Sequence, residues 1–216
     1  MEGIKLILLG PPGAGKGTIA NMLRTERGTV ALSTGDMLRD EVKNRTQSGR
    51  KAAEYMNAGK LVPDETVISI LKNRIKEIPP NTGFVLDGFP RTTAQAEALE
   101  DIFRELGVSL DFVLNLEVPR DVVLQRLSGR RQCSGCGEIY HLKNMPSARE
   151  GICDKCGGAL FQRDDDREDT VETRLAAYER QTAPLIEFYA NRGILRAIKA
   201  DVGPAETFNE VKKQTL

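Results

Sequence analysis

The segment Gly10-Pro11-Pro12-Gly13-Ala14-Gly15-Lys16-Gly17-Thr18 constrains the fold of this chain more than any other stretch. It follows the apolar run Ile4-Lys5-Leu6-Ile7-Leu8-Leu9 and precedes a helix-forming stretch from Lys16 to about Arg27. A short, nearly unbroken apolar run of this kind reads as a strand buried on both faces of a parallel sheet. The turn between them has the spacing G-x-x-x-x-G-K of a phosphate-binding loop. Its glycines let backbone N–H groups converge on phosphate oxygens at a helix N-terminus, where the dipole also favours anions. Lys16 adds a mobile positive charge. Gly17 follows the lysine where the general motif has Ser or Thr, and Thr18 comes one place later.

The rest of the chain extends that unit. Phe84-Val85-Leu86-Asp87, Asp111-Phe112-Val113-Leu114-Asn115-Leu116 and Ile194-Leu195-Arg196-Ala197-Ile198 read as further core strands. Helical patterns lie between them: Val67, Ile68, Leu71 and Ile75 share one face, as do Val171, Leu175, Tyr178, Leu185 and Tyr189. Pro184 predicts a kink in the second of these helices, because the pattern resumes at Leu185. Alternation of strands and helices means an α/β, doubly wound sheet with right-handed crossovers. Two segments break it. Residues 35–62 are mostly helical without a strong strand, and residues 130–166 carry four cysteines, many glycines and the acidic run Asp164-Asp165-Asp166. Both exceed an ordinary connection and read as inserted lobes on one core. A length of 216 residues, 40% of them apolar and 29% charged, suits that arrangement and excludes a disordered chain.

Other residues point to the same chemistry. Asp87 ends an apolar strand at the carboxyl edge of the sheet, where a carboxylate suits a Mg²⁺ shell, and Arg91 after the turn could fork onto a phosphate. Ser33-Thr34-Gly35-Asp36-Met37-Leu38-Arg39 opens a helix with polar caps and an arginine. Arg126 and Arg130 lie four residues apart, hence on one helix face. Cys133-x-x-Cys136 and Cys153-x-x-Cys156 have the spacing of a structural zinc ribbon, whose four thiolates leave no open position for catalysis. A metal-free set of reduced thiols is the alternative. His141, between the pairs, is not needed as a ligand and reads as an incidental polar residue.

Taken together, residues 10–18, 33–39, 59–65, 87–92 with Gln95, 126–131 and 163–174 resemble the adenylate kinase family, in its bacterial-type long form with a zinc-bearing lid. The resemblance spans nearly the whole chain in the family's order. It implies a P-loop NTPase-like three-layer core with a parallel five-stranded sheet, built from residues 1–32, 63–128 and 167–216. Residues 33–62 would be the lobe over the monophosphate and residues 129–166 the lid over ATP. The implied reaction is reversible, Mg²⁺-dependent, in-line transfer of the terminal phosphoryl group of ATP to AMP, giving two ADP.

The family's roles carry over by position. Gly13, Ala14, Gly15, Lys16, Gly17 and Thr18 would hold the ATP phosphates, with Lys16 on the transferred group. Ile139, Tyr140 and the backbone near Gly203 would also touch ATP. Thr34, Arg39, Lys60, Leu61, Val62, Gly88, Phe89, Pro90, Arg91 and Gln95 would bind AMP, and the Gln95 amide would read the adenine edge. Arg126, Arg130, Arg163 and Arg174 would surround the phosphoryl groups. Asp87 and Asp36 would hold Mg²⁺ through water, and Cys133, Cys136, Cys153 and Cys156 would hold structural Zn²⁺.

Three competing readings differ in kind, of which a catalytically dead structural homologue is disfavoured by the presence of Lys16, Arg39, Asp87, Arg91, Arg130 and Arg163. A nucleoside monophosphate kinase for another base would share almost every motif. A zinc-ribbon nucleic-acid binder on a P-loop ATPase core would call for a basic surface with interleaved aromatics. The net charge is +0, aromatics are 5% and tryptophan is absent, which disfavours it. The expectation is a cytoplasmic monomer that binds nucleotides, without nucleic-acid or membrane partners. No apolar run approaches the roughly 20 residues of a membrane helix, and the first apolar run is too short for a signal peptide.

Overall fold

The computed structural model describes residues 3–215, so residues 1, 2 and 216 of the expected core lie outside the described part. Its centre is a five-stranded parallel sheet in the order β2-β3-β1-β4-β8. The strands are β1 (Lys5–Leu9), β2 (Val30–Ser33), β3 (Phe84–Asp87), β4 (Phe112–Glu117) and β8 (Leu195–Lys199). In register, Leu6 stands beside Val85 on one side and Phe112 on the other.

Alternation along β1 explains why the sheet is covered twice. Ile7 and Leu9 join Phe84, Leu86 and Val113 on one face, beneath α4 (Asp64–Lys76), α5 (Thr93–Leu106) and α8 (Pro184–Ala190). Leu6 and Leu8 join Val85, Leu114 and Ile198 on the other, beneath α1 (Lys16–Arg27) and α9 (Pro204–Gln214). Each fully buried leucine contributes roughly 1.5–3 kcal/mol, so the strand that carries the phosphate loop is among the most firmly held segments.

Two excursions leave the core. After β2 come α2 (Thr34–Lys43) and α3 (Gln47–Asn57), which pack on each other. After α6 (Arg120–Ser128) comes a separate antiparallel sheet of β5 (Arg130–Cys133), β6 (Ile139–His141) and β7 (Leu160–Phe161), with β5 central. Its buried apolar residues are Cys133, Tyr140 and Cys153, a very small cluster, with Gln132 buried beside them.

The expected kink at Pro184 takes a definite form. α7 (Glu168–Ala177) passes into a π-helical turn, Tyr178–Thr182, before α8 begins at Pro184. The Ala183 N–H donates to Tyr178 O at 2.9 Å, five residues back. A proline offers no N–H and crowds the carbonyl four residues before it, and a wider turn relieves that crowding. One expectation is corrected here. Val171 and Leu175 pack with Val123 and Leu127, whereas Leu185 and Tyr189 belong to the main core. The helical halves therefore bury their apolar faces against different partners, and Tyr178 in the turn between them is only half-buried. Among the described residues, no helix is long and apolar enough to cross a membrane.

Candidate active site

A crevice of about 2070 Å³ runs along the carboxyl edge of the sheet, between the two excursions. The phosphate loop forms its floor. Gly13 and Gly15 have φ of 80° and 93°, a left-handed conformation open to glycine at little cost. Gly15 caps α1 without a side-chain hydrogen bond, so the N–H groups of the first turn, at Lys16, Gly17 and Thr18, are left for a ligand. The Lys16 ammonium donates to the carbonyls of Gly10 at 2.7 Å and Pro11 at 2.9 Å. Burial pulls its pKa down to about 8 against the pull of Asp87, and Arg91, Arg174 and Arg130 depress it further. Asp87, at the end of β3, is pushed up by burial and held back by Lys16 and Arg91.

On the α2 side, the Thr34 hydroxyl donates to Gly88 O at 2.8 Å, and Arg39 pairs with Asp36 at 2.5 Å. Arg39 draws the Asp36 carboxyl down despite its burial. Arg91 Nε donates to Gly88 O at 2.8 Å, and the Thr182 hydroxyl donates to Arg91 O at 2.9 Å. Gln95 is 2% exposed. Burial and the neighbouring Arg174 bring Arg91 down to about 10.

The opposite wall comes from the small sheet and α7. Arg130 grips Asp166 with two parallel N–H donors, one at 2.7 Å. Arg174 donates to Asp165 O at 2.5 Å and to the Asp166 carboxylate at 3.3 Å. Burial, then Arg39 and Arg130, bring Arg163 down to about 10, and its Nε has no hydrogen-bond partner. Arg126 reaches Val202 O at 2.9 Å, which ties α6 to the segment before Gly203. It does not share a helix face with Arg130, as the spacing predicts, because α6 ends at Ser128 and Arg130 opens β5. So many guanidiniums close together repel unless oxyanions separate them, and an unpartnered buried N–H is expensive. The arrangement suits a ligand with several phosphates.

Nearly all of the expected nucleotide-binding residues line this crevice, including Lys60, Leu61, Val62, Pro90, Ile139 and Gly203. Phe89 does not; its side chain is part of the main core. The Tyr140 hydroxyl accepts from the Asp154 N–H at 2.9 Å and approaches Cys153 Sγ at 3.4 Å. Sequence reasoning missed Asp165 and Asp166 as the partners that hold the arginines. Their signal was the acidic run flanked by Arg163 and Arg167.

His141 is likewise more than incidental. Its Nδ1 accepts from the N–H groups of Lys143 and Asn144 at 3.0 and 3.1 Å. Nε2 then carries the hydrogen and points to Gln125 O at 3.2 Å. The ring lies so close to Gly129, the junction of α6 and β5, that a Cβ there would come within 2.4 Å of Nε2. His141 braces the base of the small sheet.

The four cysteines form the one group of three or more His, Cys, Asp or Glu among the described residues able to hold a metal ion, with all sulfurs within 4.8 Å of one another. Cys133 and Cys156 stand 3.4 Å apart, and Cys136 and Cys153 3.6 Å. A tetrahedral site with Zn–S bonds of ~2.3 Å needs sulfurs ~3.8 Å apart, so the donor set fits with a small expansion.

Comparisons with known proteins agree with this geometry. The family model described as Adenylate kinase matches residues 8–194. The adenylate kinase of Caldicellulosiruptor saccharolyticus is 53% identical over 210 residues, covering 97% of this chain and 98% of that protein. That of Carboxydothermus hydrogenoformans is 51% identical over 209 residues, covering 97% and 98%. The Archaeoglobus fulgidus protein of the same name is 51% identical over 192 residues, covering 89% and 88%. Sequence, sheet and crevice thus lead to one assignment: this chain belongs to the adenylate kinase family.

Proposed function

We propose that the crevice moves the terminal phosphoryl group of ATP onto AMP, reversibly giving two ADP, in line and without a covalent enzyme intermediate. The observation that carries this reading is the convergence of Lys16, Arg39, Arg91, Arg130, Arg163 and Arg174 on one crevice beside the open N-terminus of α1. Phosphoryl transfer spreads negative charge over equatorial oxygens and leaves little covalent work, so positioned cations do most of the catalysis.

In this reading residues 13–18 cradle the ATP phosphates and Lys16 follows the transferred group. Arg39 and Arg91 hold the AMP phosphate, Thr34 and Gln95 face its base, and Arg126, Arg130, Arg163 and Arg174 neutralise the phosphates from the other side. Residues 33–62 close over AMP and residues 129–166 over ATP. Asp87, and Asp36 if it exchanges its pairing with Arg39, would hold Mg²⁺ through water, and the ion would screen phosphate charge. Zn²⁺ on the four cysteines is structural. One chain carries every one of these residues, which supports a monomer. The four cysteines, free of disulfides, support a reducing, cytoplasmic setting.

The test is coupled detection of ADP with AMP, CMP, UMP or GMP offered against Mg·ATP. AMP should be by far the best acceptor; no ADP from AMP, or a phosphorylated residue trapped during turnover, would overturn the reading.

A pH dependence follows from Lys16. In the free protein its ammonium loses the proton as pH passes about 8, while bound phosphates favour the charged form. Above that pH ATP binding must take up a proton. kcat/KM for ATP should therefore fall with pH above about 8, by up to tenfold per unit, while kcat at saturation falls less. A profile of kcat/KM that is flat from pH 7 to about 9.5 would contradict this.

A further inference from the structure

The expected reader of the acceptor base, Gln95, is held at both ends of its amide. Its Oε1 accepts the Arg91 N–H at 2.7 Å, and its Nε2 donates to Asp64 Oδ1 at 2.5 Å. Asp64 is the first residue of α4, and its other oxygen accepts from the Thr92 hydroxyl at 3.4 Å. Thr92 in turn caps α5, where its hydroxyl accepts the Gln95 N–H at 3.1 Å. The backbone and the side chain of Gln95 are thus anchored by the same small network, which joins the starts of two core helices.

An amide has two ends that differ only in hydrogen bonding, and its orientation is set by its neighbours. Rotating the Gln95 amide by half a turn would set its NH₂ against the Arg91 N–H and its oxygen against the Asp64 carboxylate. Both contacts would be repulsive. With the observed orientation, one N–H and one oxygen lone pair remain for a ligand, in a fixed order. That order matters because purines differ at position 6: adenine offers an N–H donor there and guanine an acceptor oxygen. An amide free to rotate could satisfy either base; a locked one satisfies one and leaves unpaired groups against the other.

We propose that Asp64 is a specificity-positioning residue, which fixes the hydrogen-bonding order of Gln95 and thereby favours adenine over guanine in the acceptor subsite. The inference rests on the reading that this crevice phosphorylates AMP with Gln95 at the base. Asp64 touches no substrate in this scheme and acts through the Gln95 amide. A carboxylate can only accept, so it permits one amide orientation. Asparagine or serine in its place can donate as well as accept, leaving the Arg91 N–H as the sole lock.

The experiment measures kcat and KM for AMP, GMP and ATP in the wild-type protein, Asp64→Asn and Asp64→Ser. Expected is a fall of about tenfold in the AMP-to-GMP ratio of kcat/KM, from a higher KM for AMP and gained use of GMP, with KM for ATP unchanged. An unchanged ratio in both variants would overturn the proposal. So would a KM for ATP that rises in step with that for AMP, or failure of both variants to fold, since either marks Asp64 as structural. A wild-type protein unable to use AMP would instead overturn the functional reading itself.

Discussion

Lys16→Met should lower kcat by about 10³-fold or more while leaving the fold intact. Losing one preorganised oxyanion donor costs about 10²–10³ in rate, and on the proposed reading a full positive charge beside the transferred group goes with it. Among the described residues the Lys16 ammonium donates to the carbonyls of Gly10 and Pro11, which methionine leaves to water. Methionine keeps the length and the apolar stem, so the thermal midpoint should move by only a few degrees, as for a substitution outside the packed core. Steady-state kinetics with a thermal melt on the same sample checks both halves. Near-normal turnover would remove Lys16 from the chemistry; a collapsed midpoint would make it a structural residue of the loop.

Removing a metal held by the four cysteines should act on stability first and on chemistry second. The sheet that carries Arg130 has almost no core beyond Cys133, Tyr140 and Cys153, so four metal–thiolate bonds would supply most of its folding free energy. Chelation, or Cys153→Ser, should lower the unfolding temperature of residues 129–166 by roughly 10 °C or more, with the core transition much less affected. Turnover at low temperature should survive in part, because Arg130 and Arg174 are held through Asp165 and Asp166, away from the sulfurs. Metal content and turnover at low and raised temperature, measured on one preparation, decide the matter. Metal-free protein that keeps an ordered small sheet yet is inactive at every temperature would mean that the metal takes part in the chemistry.

Where burial is complete on both faces, the sequence announces its structure. β1, β3 and β4 read directly as strands, and the glycine spacing between β1 and α1 located the crevice floor. β2 did not, because in Val30–Ser33 only Leu32 is fully buried and the strand lies at the sheet's edge. The strands of the small sheet escaped notice for a related reason. Arg130–Cys133 carries mostly polar side chains, since strand pairing and a small cluster around Cys133 hold it in place of a hydrophobic face. Single-period patterning also misled along α7 and α8, since a π turn changes the phase between two halves that each look regular. At the site, cations were legible and their counter-groups were not. An arginine after a phosphate loop suggests a task, whereas Asp64, Asp165 and Asp166 gain theirs only from what folding brings beside them.

The pairing of those cations has a consequence for how ligands come and go. Lys16 holds two loop carbonyls, Arg39 holds Asp36, and Arg130 and Arg174 share Asp166. On the proposed reading, nucleotide entry would be a displacement reaction, in which phosphate oxygens compete with oxygens of the protein for the same N–H groups. The free energy of binding is the difference between two sets of charge-assisted hydrogen bonds, not the sum of one set. Departure runs the same exchange backwards, with internal acceptors ready to take each cation as the product withdraws. A crevice so rich in positive charge would in this way let go of a highly charged product without leaving its own cations unpaired.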